Sequence, residues 1–347
     1  MKKFLRISGG ILGLLIVLFL AFYLWASSGA LSNDEFESGN LLVAALEEAA
    51  LHNPLTVVTY NIGYGSGLTN NTGDNASAEE YEANVASIIR ALEGVRVDFV
   101  AFQEIDYDSA RSYHRDQLEI ISDALGLKYR VQAFNWDKNY LPFPYWPPRS
   151  HFGAVLSGQA IASAYPVAEH SKITLLKPAE RPFYYNEFYP DRTVQISKFN
   201  VGGRPLTLLN VHLEAYMNAT RQKQALEVVD VVRRHNDGPL ILLGDFNAQP
   251  PWVDAGADEN GRPDGTIATI LRETGLQKAI AEEAYGEAPA DRQLTFPSGS
   301  PAVCLDHIFY NKHIEGLSAR VLSDAGTGSD HLPVVMTFRI NPGSFPG

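Results

Sequence analysis

Residues 240–250, LILLGDFNAQP, constrain the fold more than any other stretch of this chain. Leu240, Ile241, Leu242 and Leu243 form an unbroken apolar run, which suits a strand covered on both faces. Gly244 ends the run, Asp245 and Asn247 are delivered from its end, and Pro250 marks the turn beyond. A carboxylate and a carboxamide therefore stand two residues apart at the rim of a buried sheet. Asp and Asn are also common turn residues, because their side chains bond to nearby backbone. The stretch on its own identifies no site.

A strand with both faces covered needs layers on each side and enough chain to build them. The 347 residues suffice. Beyond an apolar N-terminal segment about 300 remain, room for one large two-sheet domain or two small ones. Cys304 is the single cysteine, so no internal disulfide supports the fold and a packed core must. The net charge is −12, and the only charges ahead of residue 31 are Lys2, Lys3 and Arg6, so the remainder is more acidic still. Such a surface discourages tight non-specific binding to nucleic acid, which depends on phosphate neutralisation by Lys and Arg.

After those three cations comes an uncharged run over residues 7–26, dominated by Leu, Ile, Val and Phe. About twenty residues at a rise of about 1.5 Å each cover the hydrocarbon core of a bilayer. The basic flank favours a cytoplasmic N-terminus with the rest translocated, and Tyr23 and Trp25 suit interfacial anchors. Ser28, Gly29 and Ala30 also resemble the small-residue site of a cleaved signal peptide. The apolar run is long for a signal peptide, which favours an uncleaved anchor over residues 1–30. The expected protein is then single-pass with its main domain extracytoplasmic, or secreted if the segment is removed. Residues 31–53, polar to mildly helical, read as a spacer, and 54–342 as that domain.

Within that domain, Leu55–Asn61 is an apolar, β-branched strand, and 66–78, rich in Asn, Gly, Ser and Thr, is a loop. Val85, Ile88, Ile89 and Leu92 fall at helical spacing within a helix over 79–93. A strand over 97–102 ends in Gln103-Glu104, and a second helix is expected over 109–125. Residues 135–151, NWDKNYLPFPYWPPRSH, combine four prolines with five aromatics, which argues against an interior helix or a central strand. Paired strands follow over 153–167, then an aromatic cluster over 182–190, a strand over 192–199, and a hairpin through Gly202-Gly203 into a strand ending at His212. A long helix, Asn218–His235, precedes the Leu240 strand. A polar excursion (254–265), a short helix and strands over 302–310, 316–322 and 333–340 close the chain. This order predicts a four-layer α/β sandwich, two packed mixed β-sheets flanked by helices, with an N-terminal transmembrane helix.

Polar residues interrupt or end the apolar strands repeatedly: Asn61, Glu104, His212, Asp245, Asn247, Asp306 and the pair Asp330-His331. One such residue is ordinary, but a series at strand ends suggests convergence on one rim. Asn, Glu and Asp offer hard oxygens, which suits Mg²⁺ (or Mn²⁺) and not zinc, since no Cys–His set has zinc spacing. The two histidines supply proton transfer and positive charge for a phosphate oxygen. His151, beside the aromatic insertion, reads as structural, and His307 as pointing to the opposite face of its strand.

The series Tyr60-Asn61, Gln103-Glu104, Asn210-Val-His212-Leu, Gly244-Asp245-Phe-Asn247, Asp306 and Ser329-Asp330-His331-Leu-Pro resembles the endonuclease/exonuclease/phosphatase superfamily in order and spacing, from Leu55 to Arg339. The resemblance implies metallophosphoesterase chemistry and a phosphoester substrate. It implies that Glu104 with Asn61 holds Mg²⁺, with Asp330 near the metal or steering His331. Asp245 would orient or deprotonate the attacking water, and Asn247 would contact a phosphate oxygen. His331, bonded to Asp306, would be base or stabiliser, while His212 would contact phosphate or protonate the leaving oxygen. Arg192 resembles the family's phosphate-contacting Arg, though it pairs equally well on paper with Asp191 or Glu187.

Departures bear on the substrate. Pro301-Ala-Val-Cys-Leu-Asp306 is similar to the inositol-phosphate phosphatase branch, but His307 stands where that branch has Arg. Asn247 is followed by Ala248-Gln249 in place of that branch's Tyr-Arg, and Ala162-Ser-Ala-Tyr-Pro166 lacks the usual Arg. Basic DNA-gripping loops are not evident. Membrane tethering, acidity and aromatic loops favour a lipid phosphodiesterase over an extracytoplasmic nuclease, with a catalytically inactive binding module as the rival from another class. The aromatic insertion has two readings, a small satellite core or exposed rings at the rim of the site. No obligatory protein partner is indicated.

Overall fold

The computed structural model describes residues 2–43, 52–70, 72, 74–253, 263–285 and 293–341. The N-terminal apolar run forms α1 (Lys2–Ser27), at about 1.5 Å per residue long enough to cross a bilayer, and its apolar stretch is exposed except in its last turns, where Ala26 is buried. Behind it come α2 (Asn33–Ser38), closed by a Ser32–Glu35 capping box, and β1 (Asn40–Val43). Residues 33–43 of the expected spacer therefore form elements docked on the domain. β1 lies antiparallel on an otherwise free sheet edge, with Asn40 opposite Gln132, and the ammonium of buried Lys172 lies 3.8 Å from the centre of the Phe36 ring.

The domain proper runs through β2 (Leu55–Asn61), α3 (Ala78–Glu93), β3 (Phe99–Asp106), α4 (Gln117–Ala124), β4 (Tyr129–Leu141) and β5 (Gly153–Ser163). It continues through β6 (Val167–Thr174), α5 (Phe183–Phe188), β7 (Thr193–Val201), β8 (Arg204–His212), α6 (Asn218–His235) and β9 (Leu240–Asp245). It ends with α7 (Thr266–Thr274), β10 (Gln277–Lys278), β11 (Asp306–Tyr310), β12 (Ile314–Val321) and β13 (Val334–Ile340). Two mixed sheets result, seven strands in the order β1-β4-β5-β3-β2-β13-β12 and six in the order β10-β11-β9-β8-β7-β6. Within the sheets β2/β3 and β8/β9 are the parallel pairs. This is the expected sandwich.

The Leu240 run shows why it carries no polar residue. Ile241 and Leu243 face the core between the sheets, whereas Leu240 and Leu242 face the cluster under α6 and α7. Gly244 does not stop the strand. It carries φ 145°, and a Cβ there would lie 2.0 Å from the Val211 carbonyl oxygen, so glycine lets β9 continue against β8 as far as Asp245.

Three local expectations change. The helix expected over 109–125 is confined to α4, because Tyr113 and His114 adopt φ 56° and Asp116 then caps the helix by accepting from the Glu119 N–H. β3 runs past Glu104, whose φ of 50° marks an irregularity in its pairing with β5. The first half of the aromatic insertion is strand β4, paired to β5 on one side. Its prolines begin only at Pro142, so the backbone N–H groups before them remain free for a ladder. Of the polar excursion, 254–262 lies outside the described residues; Asp264 accepts from Arg221 at 2.7 Å.

A buried polar strap ties the sheets together. Gln103 donates to Asn210 Oδ1 at 2.7 Å, and Asn210 Nδ2 donates to Gln195 Oε1 at 2.9 Å and to the Phe102 carbonyl at 3.0 Å. Gln103 keeps its bond to Thr59 at 3.1 Å, but Asn210→Ala would remove a partner from each of these buried groups, at about 1–3 kcal/mol for any left without another. Its urea midpoint is expected to fall well below that of the parent chain; an unchanged midpoint would show that the strap adds nothing to stability.

Candidate active site

Strand register builds the site. His212 at the end of β8 stands opposite Asp245 at the end of parallel β9, and Asp245 stands opposite Asp306 at the start of antiparallel β11. Three functional side chains thus occupy neighbouring strands at one rim. In the facing sheet Asn61 ends β2, and Glu104 lies near the end of β3. Arg192 immediately precedes β7, and Asp330 and His331 lie in the loop ahead of β13.

Each of the residues picked out from the sequence reaches this rim. His331 Nδ1 lies 2.8 Å from Asp306 Oδ2, and its Nε2 lies 3.8 Å from Asp245 Oδ2. Asn61 Nδ2 donates to that same Asp245 oxygen at 2.9 Å, while Asn61 Oδ1 accepts from the Gly63 N–H at 3.0 Å. The other Asp245 oxygen accepts from the Asn247 N–H at 2.8 Å. Asn247, at φ 49°, turns its amide to the Leu213 carbonyl at 3.0 Å. Both Glu104 and Asn247 thus hold left-handed backbone, a strained state that concentrates at functional sites.

Arg192 takes neither of its sequence-adjacent alternatives. Asp191 pairs with Lys177 at 2.9 Å and Glu187 with Lys138 at 3.1 Å. Arg192 is buried with Nη1 2.7 Å from His212 Nε2, and its guanidinium carbon is 5.7 Å from the centre of the Tyr189 ring. A guanidinium only donates, so His212 accepts at Nε2 and carries its proton on Nδ1. His307 bonds to the Ala248 carbonyl at 2.9 Å and packs on Phe246 and Phe309, away from the rim. His151 is occupied with the Tyr140 hydroxyl at 2.8 Å.

Burial sets the electrostatics. It pushes the His212 imidazole well below its ordinary range, helped by the neighbouring Arg192 and His331 charges, so His212 is neutral at pH 7. His331 goes the other way. Burial lowers it, yet the Asp306 and Asp245 carboxylates more than offset that and hold the imidazolium well above the usual range. Burial pushes the Asp245 carboxyl up to about 7, with His331 pulling against it, and lifts Asp330 to about 6, His331 again opposing and Glu104 adding to the rise.

Three participants were missed. Asn70, in the loop after β2, donates to Glu104 Oε2 at 3.0 Å and to Asp330 Oδ2 at 3.1 Å. Tyr189 donates to Glu214 Oε1 at 2.9 Å beneath Arg192, and the buried Glu214 leaves Oε2 without a partner. Tyr189 belongs to the aromatic cluster over 182–190, and Glu214 is a second polar residue just after His212 at a strand end; Asn70 carried no signal.

The donor set fits a hard divalent cation. Glu104 and Asp330 converge on one neutral Asn70 amide, two carboxylates with little positive charge between them, and a divalent ion there would relieve their repulsion. Ligand atoms of Asp245, Asp306 and His331 also lie within 4.8 Å of one another. His331 in that trio is already bonded to Asp306 at 2.8 Å, whereas Glu104 and Asp330 offer only oxygen donors, the type a hard cation prefers.

A sequence profile described as "Endonuclease/Exonuclease/phosphatase family" matches residues 58–331. A "UPF0294 protein" of Vibrio campbellii is 27% identical over 149 residues, 42% of this chain and 44% of that protein, so the match spans less than half of the relative's length. Two solved structures share the fold. A mannosyl-6-phosphatase of Bacteroides thetaiotaomicron is 18% identical, with 82% of this chain and 100% of that one covered at a TM-score of 0.56. The human Nocturnin catalytic domain, with bound sulfate, is also 18% identical, with 87% and 97% covered at a TM-score of 0.56.

Proposed function

This chain belongs to the endonuclease/exonuclease/phosphatase family, whose members are metal-dependent phosphoester hydrolases, and from that premise we propose that it is a phosphodiesterase acting through the His331–Asp306 pair and Asp245. The observation that carries this reading is the 2.8 Å His331–Asp306 bond set beside Asp245 and opposite the Arg192–His212 contact. Hydrolysis adds water to an anion, so the site must both activate the water and offset charge on phosphorus. A divalent cation, Mg²⁺ in our reading, would be held by Glu104 and Asp330 with Asn61 alongside, and would supply Lewis-acid polarisation and charge neutralisation.

The remaining roles fall to the chain itself. Asp245, pinned by Asn61 and by the Asn247 N–H, takes the proton of the attacking water. Protonated His331 donates to the phosphoryl oxygen as negative charge builds there, and Asp306 keeps it charged. Arg192 offers a fixed cation to the phosphate, and Asn247 an amide. Neutral His212 supports phosphate contact over protonation of the leaving oxygen, which takes its proton from solvent water, its charge meanwhile offset by the cation.

Arg192→Lys is expected to lower kcat/KM by about 10- to 100-fold, the range for a charged hydrogen bond, because a Lys ammonium cannot hold His212 and phosphate in one plane. A change below twofold would make Arg192 a packing residue.

For the substrate we favour a lipid phosphodiester, with α1 as a membrane anchor and the catalytic domain outside the cytoplasm. Support comes from the exposed, unburied apolar helix and from Tyr145, Trp146, Phe183 and Tyr184, all exposed. The aromatic insertion divides between its two readings. Trp136 and Phe143 join a satellite cluster with Leu141 and Val155, and Trp136 donates to the Phe188 carbonyl at 2.9 Å. Tyr145 and Trp146 stay outside it. An inactive binding module is disfavoured by the assembly of Asn61, Glu104, His212, Asp245, Asp306 and His331 at one rim. The test is hydrolysis of bis-p-nitrophenyl phosphate with and without Mg²⁺, followed by a screen across phospholipids, inositol phosphates and DNA. Absence of any metal-stimulated turnover would remove the enzymatic reading.

A further inference from the structure

The chain leaving α1 is fastened to the catalytic domain at once. Asp137 in β4 accepts from the Ala30 N–H at 2.9 Å and the Leu31 N–H at 2.8 Å. Asn139 donates its N–H to the Ser28 carbonyl at 2.7 Å and its amide to the Trp25 carbonyl at 3.2 Å, and Lys138 reaches the Ser27 carbonyl at 2.7 Å. Carbonyls at the end of a helix lack partners within it, so β4 acts as the cap of α1. Gly29 is part of the fit, since a Cβ there would fall 2.1 Å from Asp137 Oδ2. Of the small residues that resemble a cleavage site, Gly29 is thus required by packing, and Ser28 and Ala30 are held by their backbone groups.

Rings extend the joint. Tyr140 lies 5.8 Å from Phe22 and 6.4 Å from Trp25, and Phe188 at the end of α5 lies 5.6 Å from Tyr23, centroid to centroid. Phe22 stands more than a turn inside the apolar helix, so Tyr140 and the end of α5 flank its last turns. His151 ties Tyr140 to the loop that presents Trp146, which is 81% exposed, and α5 presents Phe183, 78% exposed. Beyond α5 the chain passes directly to Tyr189 and Arg192, where the Tyr185 ring stacks on Tyr189 at 5.3 Å. One short run of chain therefore carries the exposed Phe183, the Phe188 contact to α1, and Tyr189 and Arg192 of the site.

We infer that the last turns of α1, the 143–146 loop and α5 form one bilayer-contacting surface, that α1 is retained, and that the site takes its phosphodiester from an amphiphile lodged in that bilayer. Only the last clause rests on the hydrolase reading. Trp and Tyr favour the interface because ring and polar tip meet different media, and α1 determines which side of the domain that interface lies on.

The full chain is reconstituted into phosphatidylcholine vesicles with an environment-sensitive dye on Trp146→Cys or Tyr184→Cys; Cys304 is buried and stays unlabelled. Leu317→Cys, on β12 at the opposite edge of the sheet, is the control. Emission is expected to shift to the blue and to be quenched by brominated lipid at 146 and 184, and to do neither at 317. Solvent-like emission at 146 and 184, or a mature chain beginning at Leu31, would overturn the surface. A Trp146→Ser/Tyr184→Ser variant is expected to hydrolyse hexadecyl p-nitrophenyl phosphate in vesicles about tenfold more slowly, the equivalent of losing one buried aromatic. Its rate on soluble bis-p-nitrophenyl phosphate should not change. Equal loss on both substrates, or loss on neither, overturns the amphiphile. No hydrolysis of either by the parent chain, with the emission shifts intact, overturns the hydrolase reading and establishes the surface without it.

Discussion

Glu104→Gln is expected to leave the chain folded and to lower phosphodiester turnover by on the order of 10²-fold or more. Loss of a residue that only orients a metal ligand already costs about 10–100-fold, and Glu104 is proposed as a ligand itself. The fold should survive, because Gln keeps the acceptor that receives the Asn70 amide at 3.0 Å. What it loses is the negative charge that a hard divalent ion requires. The variant should therefore need far more Mg²⁺ for half-maximal rate, with an unchanged circular dichroism spectrum. Near-parent rates at low Mg²⁺ would move the cation elsewhere, with the Asp245–Asp306–His331 trio next in line.

Asp306→Asn is expected to lower kcat by ~10²–10³ with little change in KM, the range for removal of one preorganised electrostatic stabiliser. The buried His331 imidazolium depends on that carboxylate, since burial alone would drive it to the neutral form. The pH profile gives a separate readout with a definite sign. A protonated His331 is the active form in the proposed mechanism, so activity falls as pH rises through its pKa. Removing the Asp306 charge lowers that pKa, and the alkaline limb should move to lower pH. A rise in KM alone, with the limb unmoved, would make His331 a binding residue and Asp306 a structural one.

The sequence by itself determined most of the elements and the polar residues that end the strands of the site, though not α2, β1 or the strand in the aromatic insertion. The four apolar residues of β9 require two covered faces, and both faces are covered. Periodicity in α3 and α6 is local information, as are the positions of Asn61, Glu104, His212, Asp245, Asp306 and His331 at or near strand ends. Tertiary structure decided what these residues meet. Register across β8, β9 and β11 sets His212, Asp245 and Asp306 in one row, and no local pattern encodes pairing between residues so far apart in the chain. Asn70 sits in a polar loop like many others, and only folding brings its amide between Glu104 and Asp330. His212 and His331 are the same residue type beside acids in the sequence, yet one is neutral and the other charged. The difference lies in what each meets once buried, Arg192 for one and Asp306 for the other, because burial removes the water that would otherwise make the two imidazoles alike.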